Sequence, residues 1–330
     1  YIQPYLGMDW LEIPWFFAEH YFYCRVLEAT GYYQPGPGQR MDPFRLKKSA
    51  GLRSSIPAIC RLAETLEEIA RGGWQREAVQ RLIYLDLWGN TADLSRWPGS
   101  QKKPDESQGR APQRDRILVD DSPAAANLLF APDGQPERVD FLLDNSGFEL
   151  ACDLVLAAAL LESGSARQVQ LHVKSAPVFV SDAMEKDVLE AAAFLAGEEE
   201  ASIQRLGRRL QAAIDSSTLL LREDPFWTSP LSAWEMPAEL FEELGQSRCI
   251  LAKGDANYRR LLGDRHWDPT VPMNQVLCYL PAPLLALRTL KSEVAAGLQP
   301  GQAESAAQAD PQWMDDGQWA LIQLVRDRWE

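Results

Sequence analysis

Four short apolar runs constrain this chain more than any other feature: Val139 to Leu143, Val169 to Val173, Thr218 to Leu221 and Cys249 to Ala252, with helically spaced apolar residues between them. A run such as Thr218-Leu219-Leu220-Leu221 shows no polar alternation, so both of its faces must be covered. Strands covered on both faces and separated by helices build a largely parallel α/β sheet. Ligands of such sheets bind at the carboxyl ends of the strands, and the chemistry is to be sought there.

Ahead of the sheet, residues 1 to 97 lack alternating segments, and Trp15 to Ala29 and Ile56 to Ala70 repeat apolar residues at helical spacing. This part is expected to be a helical domain. Its crowded aromatics, Trp10, Trp15, Phe16, Phe17, Tyr21, Phe22 and Tyr23, suit either a stacking surface for bases or sugars or burial between helices. Residues 98 to 116 turn to Gln, Lys, Pro, Ser, Gly and Arg, the composition of a linker or loop. The α/β domain is then expected over 117 to 330.

The length of 330 residues with 46% apolar content accommodates a large core. A formal charge of -14, with basic residues scattered, excludes nucleic acid and anionic membrane as partners and leaves a small molecule as the expected one. The same charge repels small phosphates, so a phosphate site here needs local cations or a metal. Cys24, Cys60, Cys152, Cys249 and Cys278 show no ligand or disulfide spacing. Reduced core thiols in a cytoplasmic protein are the expectation, and oligomeric state has no signature.

Polar residues gather where the runs end. Asp144-Asn145-Ser146-Gly147-Phe148-Glu149 closes the first run and opens an apolar helix. Asp and Asn oxygens are hard donors for Mg²⁺ or Mn²⁺, and Gly147 permits a sharp turn; capping of the helix by Asp144 or Ser146 explains the same residues. Asp182 follows the extended stretch Ala176 to Ser181 and opens a helical segment from Ala183, again as ligand or cap. Lys253-Gly254-Asp255-Ala256-Asn257-Tyr258-Arg259-Arg260 is either a polar ligand site or a solvated turn with a helix start at Asp255. Arg288 and Lys291, three apart, would share a helix face and present two cations to one phosphate. His266, beside Trp267, is a site or a packing residue. No Ser/His/Asp set, Gly-x-Gly-x-x-Gly or Walker sequence is present.

In this order the segments Val139 to Leu150, Phe179 to Asp182, Lys253 to Arg259 and Arg288-Thr289-Leu290-Lys291 closely resemble the motifs of the damage-control phosphatases, a family long labelled a domain of unknown function. The likeness is to its third subfamily, marked by Arg-Thr-x-Lys, and extends to Leu87 to Ser95, Gly297 to Gln302 and Trp313. The resemblance implies an N-terminal helical domain and a C-terminal three-layer α/β/α, Rossmann-like domain with a mostly parallel sheet. It implies hydrolysis of phosphate monoesters with Mn²⁺, Co²⁺, Ni²⁺ or Mg²⁺, on sugar phosphates such as fructose 1-phosphate and fructose 6-phosphate. By the same likeness Asp144, Asn145 and Asp182 hold the metal, and with Asp255 form the catalytic set. Glu149, Asp255, Asn257, Arg259, Arg288 and Lys291 bind substrate, with Asn90 contributing from the helical part. Two rivals share the pattern: a carboxyl methyltransferase using S-adenosylmethionine, and a sugar-phosphate binder without turnover.

Overall fold

The computed structural model describes residues 1–89, 114–130 and 137–326; Asn90 and the stretch 98–113 lie outside the described residues. The first part is helical: α1 (Trp15–Ala29), α2 (Arg45–Ser54), α3 (Ile56–Gly72) and α4 (Arg76–Gly89). In α3 the residues Ile59, Leu62, Ala63, Leu66 and Ile69 recur every three or four positions and are buried as one stripe. That stripe and the buried face of α4 join the same apolar core as the sheet behind them.

The remainder alternates strands and helices: β1 (Ile117–Asp120), α5 (Ser122–Leu129), β2 (Glu137–Leu142), α6 (Phe148–Glu162), β3 (Ala166–Val173), α7 (Glu185–Ala196), α8 (Ala201–Asp215) and β4 (Leu219–Glu223). Then come α9 (Ala238–Leu244), β5 (Cys249–Lys253), α10 (Gly254–Leu262), α11 (Met273–Val276), β6 (Leu284–Thr289), α12 (Gln302–Ala309) and β7 (Ala320–Val325). Among the described residues, seven strands lie in the order β1-β7-β6-β5-β2-β3-β4. Every pairing is parallel except β6 with β7.

Successive strand residues face opposite sides, as the pleat requires. Phe141, Leu251 and Leu285 enter one core with α3 to α8, and Leu142, Ile250, Ala252 and Ala286 enter a second with α9 to α11. Helices on both faces give the expected three-layer arrangement. Helix α6 is buried without interruption from Glu149 to Leu160, because the sheet lies on one side of it and α3, α4 and α8 on the other. Its sequence is accordingly apolar all round.

Topology fixes where a ligand can enter. From β2 the chain moves outward to β3 and β4, then returns to β5 on the opposite side of β2 and continues to β6. Chain leaving neighbouring strands in opposite directions opens a crevice at their carboxyl ends. The crevice between β2 and β5 is bordered by Asp144-Asn145 and by the segment from Lys253 to Arg259.

Strands β2, β3, β4 and β5 match the four apolar runs, whereas β1, β6 and β7 had no counterpart in the pattern. The segment expected to carry Arg288 and Lys291 on one helix face is instead the end of β6 and the bend after it. Leu284-Leu285-Ala286-Leu287 is buried on both faces and built from good helix formers, so neither alternation nor β-branching announces a strand. Ala176 to Ser181, expected to be extended, is an irregular loop, and the helix after it begins at Glu185. Among the described residues no helix is long and apolar enough to cross a membrane. The five cysteines are free thiols.

Gly207 in α8 shows how closely the layers pack: a Cβ there would lie 2.1 Å from the backbone N of Ala196 at the end of α7. Alanine gains about 1 kcal/mol of helix propensity over glycine, but overpacking against backbone costs about 3 kcal/mol or more. Gly207→Ala should therefore lower the unfolding free energy by about 2 kcal/mol, read from the urea midpoint at constant m-value; a stabilised variant would contradict this packing.

Candidate active site

The chain leaves β2 through Leu143 and turns at Gly147, whose φ of 81° favours glycine, before entering α6. Asn145 forms an isolated antiparallel bridge with Asp182. Two backbone hydrogen bonds of 2.7 Å flank it, from Ser146 N–H to Ser181 O and from Ala183 N–H to Asp144 O. These contacts hold a strained turn, because Phe179 and Val180 just before it have φ of 49° and 66°. Left-handed backbone at an aromatic and at a β-branched residue costs roughly 1–3 kcal/mol each, and such strain collects at functional sites. Lys48 of α2, itself buried, donates to Asp182 O at 2.7 Å and to the Asp187 carboxylate at 2.8 Å, and so fastens the loop from the helical side.

Asp144, Asn145 and Asp182, the three residues expected to hold a metal, are thereby brought together and buried. The Asn145 amide donates to Asp144 Oδ2 at 3.1 Å and to Glu149 Oε2 at 2.8 Å, while its oxygen accepts from Ser181 Oγ. Lys174 Nζ stands 3.2 Å from Asp182 Oδ2.

On the β5 and β6 side, the Asp255 carboxylate accepts from Arg288 Nε at 2.8 Å, from the Lys291 N–H at 3.2 Å and from Ser292 Oγ at 3.1 Å. Burial alone would raise this carboxyl, but Arg288 and Arg259 hold it below the usual carboxylate range. Arg288 is fully buried, lies 4.3 Å from the centre of the Tyr258 ring, and also donates to the carbonyls of Ser292 and Val294. It shapes the bend that carries Lys291. Asn257 donates to the carbonyls of Leu142, Leu143 and Lys253, which ties the ends of β2 and β5 together. Lys253 is buried behind them and donates to Asp86 O at 2.6 Å and Asp86 Oδ1 at 3.0 Å, with Asp153 Oδ1 at 3.6 Å. Burial disfavours its charge, yet Asp86 and Asp153 outweigh that and raise its pKa. Burial, joined by the Asp86 charge, pushes the Asp153 carboxyl well up.

These elements enclose a cavity of about 540 Å³. Asp144, Asn145, Asp182, Asp255, Arg259 and Lys291 line it, whereas Glu149, Asn257 and Arg288 stand behind its wall. The structure adds residues that the motifs did not mark, above all Trp15, Glu19 and Tyr23 of α1 and Asp264; His266 also borders the cavity. The spacing of four in Trp15, Glu19 and Tyr23 was the available signal. Arg259 donates through Nε and Nη2 to both oxygens of Asp264, at 2.7 and 3.1 Å, and through Nη1 to Glu19 at 2.6 Å.

Cations are thus fewer at the cavity than the basic motifs suggested, because Lys253 and Arg288 are buried away from it and Arg259 is claimed by two carboxylates. Six carboxylates line the cavity, those of Glu19, Asp144, Asp182, Asp255, Asp264 and Glu293. Among the described residues, Arg259 and Lys291 are the cations that line it, backed by Arg288 and Lys174, so the lining carboxylates outnumber them. A divalent cation on hard oxygen donors fits this set, and a phosphate without one does not. A second grouping, Cys60, Glu64 and Glu200, brings ligand atoms within 4.8 Å of one another, but it is largely exposed and does not line the cavity.

The Damage-control phosphatase ARMT1-like domain matches residues 7–306. This chain belongs to that family. Damage-control phosphatase ARMT1 of Danio rerio is 38% identical to it, with 96% of this chain and 74% of that one covered. The ARMT1 proteins of Rattus norvegicus and Homo sapiens are 36% and 34% identical, covering 96% and 95% of this chain and 75% of each of theirs. A solved DUF89-family protein of Pyrococcus horikoshii aligns at 16% identity and a TM-score of 0.48, over 86% of this chain and 80% of that one. The damage-control phosphatases are hydrolases of phosphate esters.

The buried Lys253 makes a clean test of how the site is braced. Lys253→Met leaves Asp86 charged and uncompensated in the core, a change that costs about 3–5 kcal/mol. Denaturation in urea should show that loss, and a variant as stable as the parent would remove the brace from the account.

Proposed function

We propose that the chain is a divalent-metal-dependent phosphomonoesterase, using Mn²⁺, Co²⁺, Ni²⁺ or Mg²⁺, and that small organic phosphates such as fructose 1-phosphate and fructose 6-phosphate are its substrates. The observation that carries this reading is the convergence of Asp144, Asn145 and Asp182 on a cavity whose carboxylates outnumber the cations around it. In this proposal those three residues hold the metal through oxygen. When bound, it supplies positive charge to the phosphoryl group and favours an ionised water.

The chain's own residues set the geometry for that event. Lys291 meets the phosphoryl oxygens from the bend after β6, and Asp255 fixes that bend by accepting the Lys291 N–H. Arg288 keeps Asp255 ionised and oriented. Glu149 and Asn257 act from behind, the first on the Asn145 amide and the second on the backbone where β2 and β5 end. Burial of Asp144 and Asp182 in low-dielectric surroundings strengthens their pull on a cation.

Asp182→Asn tests the assignment. Metal-stimulated phosphate release should fall by at least about a hundredfold. The stabilisation by metal, about 2.7 kcal/mol at a hundred times its dissociation constant, should shrink in parallel. A variant that keeps both its activity and its metal-induced rise in Tm would refute the role given to Asp182.

A further inference from the structure

Helix α2 supports both halves of the proposed metal site from outside the cavity. A Cβ at Gly147, in the turn after Asp144-Asn145, would lie 3.7 Å from the carbonyl carbon of Gly51, and Lys48, one turn earlier on the same helix, reaches the loop that carries Asp182. Lys48 does not line the cavity; its ammonium is buried among three oxygens. It donates to Asp182 O at 2.7 Å and to Asp187 Oδ2 at 2.8 Å, and stands 3.1 Å from Asp42 Oδ2. Lys186 Nζ meets the same two carboxylates, at 2.8 Å from Asp42 Oδ2 and 2.5 Å from Asp187 Oδ1. Two lysines and two aspartates thus form a ring whose charges cancel.

Such a ring adds little stability over apolar packing of the same volume, because desolvation of the ions offsets most of their attraction. What apolar packing cannot supply is the bond to the Asp182 carbonyl. That bond falls beside the strained backbone of Phe179 and Val180, and relaxation of either residue would carry Asp182 with it. On the cavity side, Ser146 N–H to Ser181 O and Ala183 N–H to Asp144 O tie the two ligand-bearing segments to each other; Lys48 ties them to the helical part. We propose that Lys48 is a positioning residue for the metal. By gripping the Asp182 peptide it keeps that carboxylate aligned with Asp144 and Asn145, and it couples the docking of α2 to occupancy of the metal site. The coupling is reciprocal by linkage, so bound metal tightens α2 as α2 tightens the metal. The effect on metal rests on the reading of Asp144, Asn145 and Asp182 as ligands, whereas the hold of Lys48 on the loop does not.

The test compares the full chain with its Lys48→Met and Asp42→Asn variants. Asp42→Asn disturbs the same ring but leaves the bond from Lys48 to Asp182 O in place, so it controls for lost stability. The calorimetric dissociation constant for Mn²⁺ should rise about 10–100-fold in Lys48→Met, as on loss of other groups that orient a metal ligand, and stay within about twofold of the parent in Asp42→Asn. Amide exchange at Ser146 and Ala183, whose N–H groups close the bridge, should speed up about tenfold or more in Lys48→Met alone. If the parent binds no Mn²⁺, the metal reading fails, and these two amides still judge Lys48. If Lys48→Met does not fold, the parent decides: saturating Mn²⁺ should slow amide exchange in α2, and unchanged α2 amides would overturn the coupling. Equal loss of Mn²⁺ affinity in both variants, or unchanged affinity in Lys48→Met, would overturn the positioning role.

Discussion

Like charge is crowded at the carboxyl ends of β2 and β5, and much of the surrounding structure exists to hold it there. Carboxylates from α1, the β2 turn, the loop after β3, α10 and the bend after β6 face one cavity. Each needs a compensating group, because an isolated ionised carboxylate in a protein interior is heavily penalised. Arg259 serves Glu19 and Asp264, Arg288 serves Asp255, and Lys174 serves Asp182. Deeper still, Lys253 compensates Asp86. Among the described residues, the carboxylates lining the cavity still outnumber these cations.

These pairings also explain how helices far away in sequence become part of the site. Glu19 lies 240 residues from Arg259, and Lys48 lies 139 from Asp187, yet both contacts involve buried or half-buried groups. In each, a charge from the helical segment is matched to one on the sheet side. Removing a partner would leave its mate uncompensated, so the helices cannot drift from the sheet without a large electrostatic penalty.

The fold was legible where burial follows local pattern. The unalternating runs of β2 to β5 and the helical spacing of α1 and α3 both report directly on which faces are covered. Strand β6 escaped because Leu-Leu-Ala-Leu reads equally well as helix, and only its pairing with β5 and β7 decides. At the site, the Asp144, Asn145 and Asp182 cluster followed from the strand ends and from motif order. The inward position of Arg288 and Lys253 was not legible, since nothing in a basic residue's identity says whether it faces ligand or braces the wall. The contribution of α1 was hidden for the opposite reason: its aromatic side chains look like core, and Phe16 and Phe17 among them are core.

The placement of β7 has a consequence for how the molecule comes into being on the ribosome. Strand β1 pairs with β7 and, among the described residues, with no other strand. Ile117 meets Ala320, so roughly 200 residues must be made after β1 before its ladder can form. At about 5–20 residues per second that is an interval of about 10–40 s. From its own synthesis until β7 follows, β6 presents a bare edge of Leu284 to Thr289, apolar along most of its length and without the charges that usually discourage edge-to-edge pairing until Arg288. Strand β7 thus closes the sheet in two places at once, against β1 and β6, and the nascent chain is most exposed to misassociation just before β7 emerges.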